Sequence, residues 1–305
     1  MSKRHKAKPQ PTQKQEMFPS AQTVFRFAHL DLESRNNIDQ SMQALDPELW
    51  ARDRDAIRQI EQAKTADEVL EFAVKATGVA DIAWFKRVRQ FGPDIIPLVA
   101  QRLKSSREIA DSDHQTLIRE HLIGALRWRG TLGANVLVEC FASLDDYAQS
   151  LAAVVLGLVH ARASGGLIWD LFQRTKNLSK HTFVGALWGL IDLQDARAAD
   201  ALVELFQLDR MYYEIFGFVA RAGDERAVVP MASVMVHGSE SEREQSGYVL
   251  AALSHRLGRE KFVAAIIKDL PEDRREMAEK SVDQLLSYPP DVIQDYFALF
   301  YQGVV

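Results

Sequence analysis

The chain has 305 residues, of which 47% are apolar and 26% charged, with a formal net charge of -5 and one cysteine. These values are ordinary for a globular protein, so they exclude disorder over most of the length, and the lone Cys140 excludes an intrachain disulfide. The acidic balance argues against a general nucleic-acid-binding surface, because contacts of cations with phosphate supply most of such affinity.

Residues 1–20 differ from the rest of the chain. They are polar, contain five Lys and Arg residues against one acidic residue, and so carry a net charge of +4, which leaves -9 for the remainder. With almost nothing to bury, this segment is predicted to be a disordered basic tail. A solubilising role is favoured over the alternative, an electrostatic tether to an acidic partner or to RNA.

Residues 21–91 read as helices of weak periodicity. The order Asp46, Pro47, Glu48 is typical of a helix start, and Thr65 to Glu68 has the spacing of a capping box. A third helix is predicted over residues 80–91. We interpret residues 21–91 as an N-terminal cap or as divergent repeats, since the first unit of a stack needs a polar outer face.

Residues 92–288 repeat a helix pair. The first helices of the pairs are predicted to begin near Gly92, Gly133, Gly165, Asp195, Asp224 and Gly258. Small residues align in the second helices at intervals of 33, 32, 28 and 34, namely Gly124, Gly157, Gly189, Gly217 and Ala251. This period predicts an all-α fold, an α-solenoid of antiparallel helical pairs. Residues 289–305 are predicted to form a C-terminal capping helix.

One hinge carries a family resemblance. Phe216-Gly217, Gly223-Asp224, Arg226-Ala227-Val228 and Pro230 predict a helix end, an αL glycine, an N-cap and a new helix. A second capping box is predicted at Ser241 to Glu244. The hinge resembles the HEAT repeats of short bacterial proteins of the phycobilisome-lyase type, and the resemblance covers residues 92–285. It implies a HEAT-like stack, but the motif residues are structural, so no catalytic residue carries over.

Most proteins with this resemblance are binding scaffolds, which makes a non-enzymatic protein- or peptide-binding scaffold the expected function. Helical periodicity places one set of polar and aromatic residues on the concave face of the second helices. The predicted partner-binding residues are His121, Arg127, His160, Asp192, Arg210, Tyr213, Glu214 and Tyr248. Glycines in the middle of this face have two open interpretations, a groove floor that admits a peptide or close packing of neighbouring helices.

The first alternative function is nucleic-acid binding, including base repair. Residues 81–130 carry nine Lys and Arg against six Asp and Glu, and the candidate contacts are Lys86, Arg87, Arg89, Arg127, Trp128 and Arg129. A repair enzyme would also need a pocket carboxylate, for which the candidates are Asp111, Asp113 and Glu120. The favoured interpretation is instead that Trp84, Phe85 and Val88 are core residues and the arginines form a solvated edge.

The sequence gives little support for a metal site, for nucleophilic hydrolysis or for nucleotide binding. The chain contains no HExxH, GxSxG, P-loop or GxGxxG motif, and His121 with Glu120 and His160 is the nearest approach to a metal-ligand set. We therefore expect no metal or other cofactor and ordinary surface histidines. A lyase-like chromophore chaperone remains a further alternative. The absence of a signal-peptide pattern or membrane-length apolar run predicts a cytoplasmic protein.

Overall fold

The computed structural model describes residues 40–297, except residues 42, 77–78, 209, 211 and 269–270. The predicted basic tail, residues 1–20, lies outside these residues. So do residues 298–305, the last part of the predicted C-terminal segment.

All regular secondary structure in the described residues is helical, which confirms the all-α fold class. Short 3-10 turns lead into or out of several of the helices. Residues 40–41 and 43–45 are helical. The α-helices from residue 47 onward are α1 Pro47–Gln62, α2 Ala66–Glu71, α3 Val79–Gln90, α4 Ile96–Ser105, α5 Ser112–Leu126, α6 Gly130–Cys140, α7 Asp146–Leu158, α8 Gly165–Thr175, α9 Lys180–Asp192, α10 Arg197–Gln207, α11 Tyr213–Ala222, α12 Val228–His237, α13 Glu240–Leu257, α14 Arg259–Ile267, α15 Glu272–Leu286 and α16 Pro290–Tyr296.

Local capping explains several helix starts. Asp46 Oδ1 accepts a hydrogen bond from the backbone N–H of Leu49 at 2.9 Å, and Thr65 and Glu68 form the predicted capping box. The second capping box is displaced by two residues from its predicted place, because Ser239 and Glu242 form it. Ser239 precedes the helix, whereas Ser241 is already inside its first turn.

Two glycines act differently from the prediction. Gly223 has φ -62° and ψ 152°, so it is extended rather than αL. A Cβ there would lie 2.9 Å from the Val219 carbonyl oxygen, so the hinge needs a small residue for space rather than for a positive φ. Gly133 lies inside α6, which begins three residues earlier, at Gly130, where φ is 51°. A Cβ at Gly133 would lie 2.2 Å from the Leu126 carbonyl oxygen.

The odd-numbered helices form a continuous series of contacts, which we call the odd-numbered row. Each odd-numbered helix from α3 to α13 contacts the next odd-numbered helix. Each even-numbered helix from α4 to α14 packs against the odd-numbered helix that follows it. The odd-numbered row is therefore covered by neighbours on several sides. Residues 183–192 of α9 and residue 193, which follows it, are buried without interruption, as are residues 214–220 of α11.

Close approach of α7 and α9 explains the glycines of the second helices. A Cβ at Gly185 would lie 2.3 Å from the Ser150 carbonyl oxygen, and one at Gly189 would lie 2.5 Å from the Ala153 carbonyl oxygen. A Cβ at Gly157 would lie 2.8 Å from Gly189 Cα. These three glycines pack helix against helix and do not form a groove floor. Gly247 in α13 is different, because a Cβ there would meet nothing within 4 Å.

Candidate binding surface

The residues that the sequence placed on one face separate into groups with different environments. Arg127, His160 and Asp192 lie at the carboxyl ends of α5, α7 and α9. Asp192 is only 4% exposed, and His160 Nδ1 lies 3.2 Å from the Asp192 carbonyl oxygen. The structure thus brings these three residues together but removes the Asp192 side chain from the surface.

A residue that sequence reasoning missed completes this carboxyl-end group. Arg221 Nη1 lies 2.5 Å from Asp192 Oδ1, and both side chains are largely buried. Burial raises the pKa of the Asp192 carboxyl above its usual range, although Arg221, His160 and Arg127 oppose the shift. The sequence did indicate Arg221, as a basic residue in the last turn of α11. It lies four residues after the aligned Gly217, whereas the predicted face residues at the other helix ends lie three residues after their aligned glycines. This ion pair joins α9 to α11 and serves packing.

His121 is also a core residue, 1% exposed, and not the surface histidine that the sequence suggested. Its ring stacks on Phe85 with centroids 5.6 Å apart. Its Nε2 lies 2.9 Å from Asp81 Oδ1. The neighbouring Glu120 accepts a hydrogen bond from the Tyr147 hydroxyl at 2.6 Å, so the histidine and this carboxylate have separate partners.

Arg210 and Glu214 are occupied by contacts within the fold. The Arg210 guanidinium donates to the carbonyl oxygens of Leu178 and, at 2.8 Å, of Asn177, which follow α8. Glu214 is 4% exposed, and its Oε1 lies 3.7 Å from Lys180 Nζ. Neither side chain is presented as an open binding group, in contrast to the prediction.

The basic and aromatic residues near 84–129 are likewise tied into the fold. Trp84, Phe85 and Val88 are buried, which confirms that they are core residues. The arginines do not all form a solvated edge, however. Arg87 Nε donates to the Ala63 carbonyl oxygen at 3.2 Å, and Arg129 Nη2 donates to the Val88 carbonyl oxygen at 2.8 Å.

The remaining candidates of this group keep some exposure. Arg89 is exposed, with its guanidinium carbon 5.2 Å from the ring centroid of half-buried Trp128, and Lys86 is half-buried. Of the pocket carboxylates considered for base repair, Asp111 caps α5, since its Oδ1 accepts from the His114 N–H at 2.9 Å. The role of this carboxylate in the structure is therefore to cap a helix.

The two tyrosines on the predicted list belong to a cluster that is partly exposed to solvent. Tyr248 stacks on Tyr296 of α16 with ring centroids 3.9 Å apart and planes inclined by 16°. Tyr288 meets Tyr248 edge to face at 6.0 Å and is 41% exposed. We call Tyr213, Glu244, Tyr248, Tyr288 and Tyr296 the tyrosine patch.

Electrostatics link the members of the tyrosine patch. Burial first, and then the nearby Glu244, Tyr213 and Tyr248, together raise the pKa of Tyr296 to about 12, so these groups lie close to its hydroxyl. Glu244 is exposed and stands one helical turn before Tyr248. Gly247 lies between them in the chain and has open space where a side chain would be. The patch therefore offers aromatic faces, hydroxyl groups and a carboxylate beside an unfilled surface.

No family model, curated protein or solved structure matches this chain. Within the described residues there is no group of three His, Cys, Asp or Glu side chains placed to hold a metal ion. None of the helices in that same part of the chain is both long and apolar enough to cross a membrane.

Proposed function

We propose that this chain is a protein- or peptide-binding scaffold, built as a HEAT-like α-solenoid, with the tyrosine patch as its binding surface. The observation that carries the proposal is the stack of Tyr248 on Tyr296 beside exposed Glu244 and the open space at Gly247. Tyrosine is enriched at protein interfaces because it combines a large apolar ring with a hydroxyl and loses little conformational entropy when bound.

The row of odd-numbered helices supports the solenoid part of the proposal. Each of these helices contacts the next one in the row, and even-numbered helices flank the row through most of the chain. In stacks of helical pairs, one row of helices lines the concave side, which such proteins use for extended partners. Tyr213 and Tyr248 belong to consecutive helices of this row, α11 and α13.

The test is partner capture from the native host's lysate, with nuclease treatment, using the full chain, Tyr248→Ala and a control variant. Leu132→Ala is a suitable control because Leu132 is also exposed, at 54%, but belongs to α6. We expect a discrete protein that survives nuclease, is retained by Leu132→Ala and is lost with Tyr248→Ala. Equal capture by both variants, or a partner that disappears with nuclease, would remove the tyrosine patch as the binding surface.

The two alternative functions, nucleic-acid binding and a chromophore chaperone, each predict a different experimental result. Nucleic-acid binding through Arg89 and its neighbours predicts retention on heparin that falls steeply with salt. A chromophore chaperone predicts an absorbance shift on mixing with a bilin. No contact in the described residues favours either over the scaffold.

A further inference from the structure

Exposed carboxylates lie on both helices that form the Tyr248–Tyr296 stack. Glu244 is exposed on α13, next to one exposed arginine, Arg243, and α16 carries two exposed carboxylates, Asp291 and Asp295, and no Lys or Arg. Aromatic faces attract cations through their ring quadrupole, and exposed carboxylates add a longer-range attraction. The chemistry of the patch therefore suits a ligand that carries several positive charges and some apolar surface.

A segment of this same chain has that chemistry. Residues 3–14 read KRHKAKPQPTQK, with five Lys and Arg residues, no acidic residue, and Pro9 and Pro11. Proline-rich segments bind aromatic-lined grooves at a low entropic cost, because their backbone conformation is already restricted. The rest of the chain carries -9, so a basic segment is also attracted to it at long range.

We propose that residues 3–14 bind the tyrosine patch, with their cations over the tyrosine rings and beside Glu244, and that they compete there with the partner. This inference rests on the proposed function only in taking the patch as a binding surface. Residues 3–14 are assigned as the occupant of the patch because their charge complements its carboxylates and because their prolines can pack on its tyrosine rings.

The experiment uses the full chain and a carbodiimide, which joins lysine amines to carboxylates and leaves a cross-link that mass spectrometry can locate. We expect cross-links from Lys6, Lys8 or Lys14 to Glu244, Asp291 or Asp295. They should fall at least about tenfold in Tyr248→Ala and also fall as salt is raised, since about 1.4 kcal/mol of lost affinity is a factor of ten.

Two controls make the result decisive. Asp55 and Glu276 are well exposed and belong to helices α1 and α15, so specific docking predicts few cross-links there. A full chain with Lys3, Arg4, Lys6, Lys8 and Lys14 replaced by serine should capture more of the partner than the natural chain does. Cross-links spread evenly over all exposed carboxylates, or unchanged in Tyr248→Ala, would overturn the inference.

Failure of this inference is distinguishable from failure of the proposed function. If cross-links avoid the patch while partner capture still depends on Tyr248, the inference falls and the scaffold proposal stands. If cross-links reach the patch but capture does not depend on Tyr248, the inference stands and the partner binds elsewhere. Circular dichroism of Tyr248→Ala confirms that either change reflects the patch and not unfolding.

Discussion

His121 and Asp81 form a buried contact between α5 and α3, with His121 Nε2 2.9 Å from Asp81 Oδ1. The other ring nitrogen, Nδ1, lies 2.8 Å from the Leu117 carbonyl oxygen. Both partners are acceptors when Asp81 is ionised, so the contact is best satisfied when both ring nitrogens carry a proton. The pair joins residues forty positions apart in the chain.

The His121 contact predicts a loss of stability at alkaline pH. Burial by itself lowers the pKa of His121, but the hydrogen bond and charge of Asp81, with the Leu117 carbonyl, raise it above its ordinary value of 6.5 overall. A raised folded-state pKa contributes stability that is complete below about pH 6.5 and is lost as pH rises through the folded value.

The measurement is the free energy of unfolding in urea between about pH 5.5 and pH 9, for the natural chain and His121→Gln. We expect the variant to be less stable by about 3 kcal/mol at the acidic end, as for a broken buried pair, and the difference to shrink toward alkaline pH. A difference that stays constant with pH would mean that His121 does not titrate in this range. Asp55→Asn, on the surface of α1, serves as a control that should not alter the profile.

A pair of glycine substitutions tests the two environments of the odd-numbered helices. Gly247→Ala should raise the free energy of unfolding by about 1 kcal/mol, because alanine favours the helix and the new Cβ meets nothing within 4 Å. Gly185→Ala should lower it by about 1 to 3 kcal/mol, because its Cβ would lie 2.3 Å from the Ser150 carbonyl oxygen. Urea denaturation measures the free energy of unfolding of both variants. A change of the same sign in both would contradict this account of the helix contacts.

Among the residues that the structure describes, two other than glycine have positive φ, His160 at 52° and Gln194 at 56°, just after α7 and α9. Replacing Gln194 by glycine should raise stability by about 0.5 kcal/mol, since glycine adopts αL without strain but loses more chain entropy on folding. His160→Gly should gain less, because it also loses the imidazole contact with the Asp192 carbonyl oxygen. Thermal unfolding measures both, and a larger gain for His160→Gly would show that this contact contributes nothing.

Arginines that reach carbonyl groups at the ends of neighbouring helices should matter for stability. Arg256 Nη1 donates to the Ala220 carbonyl oxygen at 2.7 Å, and Arg210 donates to carbonyls beyond α8. Arg256→Ala should lower the free energy of unfolding by about 1 to 2 kcal/mol, because the carbonyl of buried Ala220 loses a charged donor. Arg210→Ala should lower it by less, because its acceptors belong to the exposed residues Asn177 and Leu178, whose carbonyl groups water can reach. Arg243→Ala, an exposed site on α13, should change it by less than about 0.5 kcal/mol.

Short-range features of this chain could be read from the sequence. Apolar periodicity and caps such as Asp46 and Thr65 predicted the helices, because an α-helix is closed by hydrogen bonds between residues four apart. Part of the tyrosine patch could be read in the same way, since Tyr213 and Tyr248 lie four and three residues before the aligned small residues of their helices and so share a face. The helical class of the fold was thus determined by interactions within single helices.

Only the tertiary structure decided which polar residues are buried and which remain open. The contacts of His121 with Asp81 and of Asp192 with Arg221 span tens of residues, and no local period specifies them. Likewise, Gly185 and Gly247 share a residue type and a helical setting, yet one touches a neighbouring helix and the other faces open space. The reason is physical: exposure depends on how closely whole helices approach, which is a property of their packed surfaces and not of any one segment.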